Sequence, residues 1–308
     1  RSGRVTGVQT CALPILMNAL EQTSPYLSSV DVARILDVNV ATVKRWTEAG
    51  KLDCVKTAGG HRKFLMRHLA AFAIEHQKYA QHLPLIPFGS ELNLDLNEEL
   101  LRGEFKELIP FFLEKSILCE STIIQNILNS LYMVHHDLVL IYDGLITPVL
   151  HEIGSKWERG DLSIAQEHLA SQTIRDAIIK MQDIVVKPEN WTERAFVLTF
   201  SDELHDIPAK MVQHLLELRG FQVLFSGQRT PVGDTSSVFK SFHPERVYVS
   251  SVFVENAQQS QAEFSELLEL CRTNNSALFV GGSGINQLKI EDDSQLHRLW
   301  TFNDVMQS

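Results

Sequence analysis

RAFVLTFSDELHDIPAKMVQHLLELRGF, residues 194–221, decides how this chain is read. Its first seven residues are an apolar, strand-like run, and IPAKMVQHLLELRGF (207–221) has the spacing of an amphipathic helix ending at Gly220. Downstream, FQVLFSG (221–227), RVYVSSVFV (246–254) and SALFVGGSG (276–284) read as further strands, with QSQAEFSELLELCRT (259–273) as an intervening helix. Strand alternating with helix predicts a parallel sheet with right-handed crossovers. Ligands of such sheets bind beyond the carboxyl ends of the strands. Three loops fall there: SDELHD (201–206), Ser250 with Ser251, and Gly281 with Gly282.

His205 carries the most chemistry in those loops. An imidazole is a good ligand for a borderline transition metal, and a carboxylate two residues earlier, Glu203, is placed to hold the other ring nitrogen. Taken alone, GGSG (281–284) is equally well a strand-end turn.

Upstream, from Asn97 to Met181, apolar residues recur at helical spacing, with breaks near Gly103, Pro110 and Gly160, and four or five helices fit. ITPVLHEIGSKWERGDLSIAQEHLASQTIRDAIIKM (146–181) places Trp157 at the end of one helix and Glu167 with His168 at the start of the next. A lone Trp is usually core and a lone His usually satisfied structure, so for each taken singly the structural reading stays open. His135, His136 and His151 are read as structural.

The first third of the chain differs in charge. Between Tyr26 and His76 there are eight Lys or Arg against five acids, whereas the whole chain has a net charge of -10. YLSSVDVARILDVNVATVKRWTEAGKL (26–52) reads as two short helices and a tight turn. Ser28 with Asp31 makes a capping box, Asn39 an N-cap, and Gly50 a left-handed stop. Val40, Val43 and Trp46 would face a core, leaving Thr42, Lys44, Arg45 and Glu48 outward, as a helix entering a major groove requires. LDCVKTAGGHRKF (52–64) then reads as a wing: a strand-like run, a turn at Gly59 and Gly60, and a basic return strand through His61, Arg62 and Lys63. A local basic patch on an acidic body is the electrostatic form of a DNA-binding head on a non-binding partner module. For any single Lys or Arg a solvated face is the simpler reading. A helical run from Met66 to about Gln81 gives way to HLPLIPFGSELNLDL (82–96), read as a linker.

These motifs resemble two known groups. The stretch from Tyr26 to about residue 80 resembles the winged helix-turn-helix of MerR-type regulators, on its GGHR wing and KRW second helix. Trp157, nine residues, then Glu167-His168, followed by ELHDIP (203–208), resembles cobalamin-binding proteins, in which a helical cap faces an α/β domain. The resemblance implies His205 as the lower cobalt ligand, with Glu203 behind it. Trp157, Glu167 and His168 would meet the upper axial group, and Ser250, Gly281 and Gly282 would line the slot for the nucleotide tail. Asp206 joins the cofactor-binding set and is placed to cap the helix after the loop. The chain departs from the pattern twice: Pro208 stands where the family has Gly, and Glu158 follows the cap Trp where photoreceptor members have His.

The expectation is therefore a multidomain α and α/β protein: a non-native leader (1–16) with the native start near Met17, a winged helix-turn-helix head (26–80), a linker (81–96), a four-helix-bundle cap (97–187) and a flavodoxin-like parallel α/β domain (193–308). Its implied function is cobalamin-responsive regulation of transcription, with adenosylcobalamin as cofactor, double-stranded operator DNA as partner, a homo-oligomeric state and a cytoplasmic setting. A corrinoid carrier for methyl transfer, or a regulator whose sensor has lost its cofactor, are the alternatives. The 44% hydrophobic content holds no uninterrupted apolar run of the ~18 residues that a membrane helix needs. Four dispersed cysteines form neither a zinc motif nor a disulfide framework. No nucleophile, general-base pair or phosphate loop is recognisable, so the reading is not an enzyme.

Overall fold

A computed structural model describes residues 26–36, 38–57, 59–76 and 94–308. The leader, the residues around Met17 and most of the expected linker lie outside the described residues.

The head begins with β1 (Leu27–Ser28) and α1 (Ser29–Ile35), followed by α2 (Val40–Glu48), β2 (Val55–Lys56), β3 (Arg62–Phe64) and α3 (Met66–Glu75). Both expected caps form: Ser28 and Asp31 bond reciprocally, and Asn39 Oδ1 accepts from the Ala41 amide at 2.9 Å. The strands are antiparallel in the order β1-β3-β2, giving the wing. Val32, Val43, Trp46, Phe64, Leu69 and Phe72 are buried beneath it, and the Trp46 and Phe72 rings lie 4.7 Å apart.

The helical layer starts earlier than expected. α4 (Leu94–Arg102) covers the last residues assigned to the linker, because Leu96 and Leu100, one turn apart, are both buried. α5 (Leu108–Ile117) contains Pro110 in its first turn, where a missing N–H costs nothing, so Pro110 starts a helix rather than breaking one. α6 (Ser121–His135), α7 (Leu138–Glu158) and α8 (Ile164–Met181) complete the layer. α5 to α8 pack on one another as the expected four-helix bundle, and α4 is an additional helix against α5 and α6. α7 is long and apolar enough, by length and composition, to cross a membrane. Here Ile141, Leu145, Ile146, Val149 and Ile153 put its apolar face in the bundle core. It also contains a π-helical turn, Tyr142–Ile146. Gly144 sits in that turn, and a Cβ there would overlap the Phe105 ring.

The α/β layer comprises β4 (Glu193–Leu198), α9 (Ile207–Leu218), β5 (Phe221–Phe225), α10 (Ser236–Phe242), β6 (Arg246–Ser250), α11 (Ala257–Asn274), β7 (Ala277–Gly281), β8 (Leu296–Leu299) and α12 (Phe302–Gln307). All strands are parallel in the order β5-β4-β6-β7-β8, the flavodoxin-like order. Successive residues face opposite sides. Ala195, Val197, Tyr248 and Phe279 join the core that includes α9 and the helical layer. Phe196, Leu198, Val247, Val249 and Leu278 pack with Phe239, Phe264 and Leu267 on the other side.

Among the described residues, several polar ties join the helical layer to the α/β layer. Tyr142 Oη and His214 Nδ1 are 2.9 Å apart, both residues buried. Burial pushes His214 down to about 3, aided by Lys187 and Lys210, so it stays neutral at ordinary pH. Asp143 accepts from the Phe302 and Asn303 amides at 3.1 and 3.2 Å, capping α12 from another layer. Burial raises the Asp143 pKa, partly offset by those two amides. Lys187, just after α8, pairs with Glu217 on α9, and a further tie, Arg175 to Asp206, belongs to the site. Asp143→Ala should lower the unfolding free energy by about 1 kcal/mol, the usual cost of a lost helix cap. Urea denaturation at pH 7 checks this, and an unchanged midpoint would show that the tie contributes nothing.

Candidate functional site

Sheet order reverses between β4 and β6, and the loops leaving those strands meet at that switch point. Two successive carboxylates join them. Asp202 accepts from the Glu255 and Asn256 amides at 3.2 and 3.1 Å and from the Ser260 hydroxyl. Glu203 accepts from the Val252 and Phe253 amides at 2.6 and 2.9 Å, and from the His205 amide at 2.8 Å. Its Oε1 lies 2.6 Å from His205 Nδ1. Glu203 is 1% exposed, whereas the His205 side chain is 53% exposed. A buried carboxylate thus takes one ring nitrogen and leaves Nε2 for a ligand, as the sequence spacing anticipates.

Electrostatics follow that geometry. Burial alone would raise the Glu203 pKa, but the His205 ring and the backbone amides outweigh it and the net shift is downward. His205 is raised, mainly by its bond to Glu203, against the opposing effect of burial and with help from Glu167 and Asp206. A lowered Glu203 contributes stability above its ordinary 4.5 that is lost as pH falls through the folded value. A raised His205 contributes stability below its ordinary 6.5 that is lost as pH rises through the folded value. Glu203→Gln should therefore destabilise the apoprotein most between pH 4.5 and 6.5. Melting curves of both proteins from pH 3 to 9 test this, and a difference independent of pH would contradict it.

The other expected residues fall into two groups. Ser250 is buried and pairs in register with Gly281 at the ends of β6 and β7. Gly282 has φ +99°, and a Cβ there would collide with the Ser251 carbonyl. The close approach allowed by the missing side chain is thus to the chain's own backbone. On α8, the Glu167 charge adds to the upward shift of the His205 pKa, and its carboxylate accepts from the Ser171 hydroxyl at 2.9 Å. Trp157 is 47% exposed, and the His168 side chain is 72% exposed with Nε2 3.5 Å from Glu167.

Asp206 is a correction. It occupies the N-cap position of α9 but makes no side-chain cap. Arg175 on α8 takes its carboxylate instead, with Nε–Oδ1 2.9 Å and Nη2–Oδ2 2.7 Å. Pro208 lies in the first turn of α9, and the helix forms as expected. Sequence reasoning missed Arg175, Leu204 and Phe253. The two apolar side chains are more than half exposed and flank the Glu203–His205 unit along the chain and across its amide bond.

Donor chemistry bears on what His205 could hold. Among the described residues no three His, Cys, Asp or Glu side chains converge as a metal cage. One outward imidazole beside exposed apolar side chains suits a metal that brings its own equatorial ligands in a flat macrocycle. The residues present fit a corrinoid on that ground.

On the head, Lys44 and Arg45 are exposed on α2, Thr42 is half-buried, and His61 is exposed at the wing turn. Lys63 is half-buried on the central wing strand. Arg62 has a partner within the head. Its Nη2 lies 2.9 Å from Glu48 Oε1 and its side chain is 19% exposed, so it braces the wing against α2.

Comparisons with known proteins divide the chain in the same way. A helix-turn-helix domain model matches residues 26–77, and a B12 binding domain model matches 119–180, within the helical layer. The HTH-type transcriptional repressor CarH of Myxococcus xanthus is 28% identical over 145 residues, 46% of each chain. This chain thus spans about half the length of that repressor. The trimethylamine corrinoid protein of Methanosarcina barkeri is 21% identical over 62% of this chain and 86% of its own. The structure is also similar to the Methanosarcina barkeri monomethylamine corrinoid protein, with TM-score 0.52 and 11% identity, over 66% of this chain and 97% of that one. That likeness concerns the fold. The chain therefore joins a helix-turn-helix head to a B12-binding region built on a corrinoid-protein fold.

Proposed function

We propose that this chain is a cobalamin-responsive, DNA-binding regulator of transcription. One observation carries the reading: the same chain holds a winged helix-turn-helix head and an exposed imidazole set by a buried carboxylate at a sheet switch point. In this reading residues 26–80 bind double-stranded operator DNA, 81–93 connect, and 94–187 cap the sensor domain at 193–308. Thr42, Lys44, Arg45, His61 and Lys63 face DNA, and Arg62 holds the wing in place for them. Such a protein works in the cytoplasm, as a homo-oligomer whose paired heads grip one operator.

His205 would hold the cobalt of a bound cobalamin through Nε2, with Glu203 fixing its tautomer by taking Nδ1. Bound cobalamin supplies a cobalt centre with a replaceable upper group. Trp157, Glu167 and His168, on the helical layer, would contact that group. Ser250 and Gly281 end neighbouring strands, Gly282 follows, and all three would border the nucleotide tail. Adenosylcobalamin is the proposed form. Light sensitivity is a further step in the proposal, made against the Glu158 departure.

Purified protein incubated with adenosylcobalamin in darkness and freed of excess should retain a corrin absorption spectrum, and white light should change it. An unretained corrin would sink the sensor. Arg45→Ala should reduce the slope of log affinity against log salt by about one on any bound promoter fragment. A fragment bound with an unchanged slope would remove α2 from the interface.

A corrinoid carrier for methyl transfer is the second reading, favoured by the similarity to the trimethylamine corrinoid protein. The head opposes it, since a methyl carrier has no use for a DNA-binding module. A third, a regulator with a vacated sensor, rests on Pro208 and predicts no retained corrin.

A further inference from the structure

Glu167, Ser171 and Arg175 are spaced four residues apart on α8 and share one helical face. That face meets the loop carrying His205. Arg175 bonds Asp206, the residue after His205, in a two-pronged geometry. Asp206 is 3% exposed, so its carboxylate depends on this partner. Among the described residues, the other ties between the layers, Tyr142 with His214, Asp143 with α12 and Lys187 with Glu217, involve residues separate from the ligand loop.

We propose that Arg175 and Asp206 are a positioning latch, holding the helical cap closed over the His205 loop and so setting how long a bound corrin stays. The proposal rests on the cofactor reading above. Lifting the cap separates Arg175 from Asp206, so the pair opposes opening where a bound macrocycle would have to leave. It touches the loop through Asp206 and not through the imidazole, so it governs residence and leaves the metal bond as it is. A guanidinium is required because Lys offers one point charge where two parallel N–H bonds are made.

The test uses the full chain loaded with adenosylcobalamin in darkness. Arg175→Met combined with Asp206→Asn removes both charges together, so that neither is left buried and unpaired. Relative to wild type, this variant should release corrin about tenfold faster or more, with an unchanged absorption spectrum and melting temperature. Arg175→Lys should fall between the two. Hydrogen exchange on the apoproteins supplies a readout independent of cofactor: amides of 164–175 should exchange faster in the double variant than in wild type. Equal release rates and equal exchange would overturn the latch. If wild type retains no corrin, the cofactor reading fails, and the exchange result alone supports or overturns the latch.

Discussion

A single buried carboxylate, that of Glu203, is the constraint on which the site depends. A lone carboxylate taken from water would be strongly unfavourable, and Glu203 is tolerated because four donors converge on it. Those donors come from two loops, the one after β4 and the one after β6, so neutralising the charge also fixes the spacing of the loops at the switch point. The His205 ring is oriented as a by-product. An imidazole half in solvent would otherwise lose rotamer freedom on every ligation event, whereas here Nδ1 is already committed. Asp202 reinforces the arrangement by accepting from the two amides just before α11 and from the Ser260 hydroxyl, so two neighbouring acids anchor one loop to the next.

The helical layer is held over this loop by ties of different character. Tyr142 and His214 form a neutral, buried pair whose titration lies far from ordinary pH. Asp143, the next residue on the same π-helical turn, spends its charge on the start of α12. The π turn thus lets two consecutive residues of one helix serve the same interface. Local irregularity of this kind commonly marks positions where a helix has a task beyond spanning. The basic head, on a chain with net charge -10, keeps favourable contact with phosphate local to its own face.

Much of this was legible in the sequence because the relevant signals are short-range. The Ser28 and Asn39 caps, the alternation of strand and helix, and the His205 loop all rest on neighbours a few residues apart. Other elements were hidden for physical reasons. β8 is an edge strand with exposed His297 and Arg298, so it has no apolar run to announce it. α12 is six residues long and relies on a cap, Thr301 with Asp304, that could have revealed it. Asp206 and Arg62 have partners that the sequence did not reveal, for a common reason. A charged residue beside a functional loop looks like a ligand contact, while its true partner lies 31 or 14 residues away in sequence and becomes visible when the chain folds.

The central claim is that His205, fixed by Glu203, provides the lower axial nitrogen of a bound cobalamin. The most direct measurement is the electron paramagnetic resonance spectrum of protein labelled with 15N-histidine and loaded with unlabelled cob(II)alamin. A nitrogen from the protein would then split the high-field lines into doublets, and the splitting should vanish or revert to the cofactor's own pattern in His205→Ala. Triplets in the labelled wild type would mean that the axial nitrogen belongs to the cofactor's own base, and the account of His205 would be wrong.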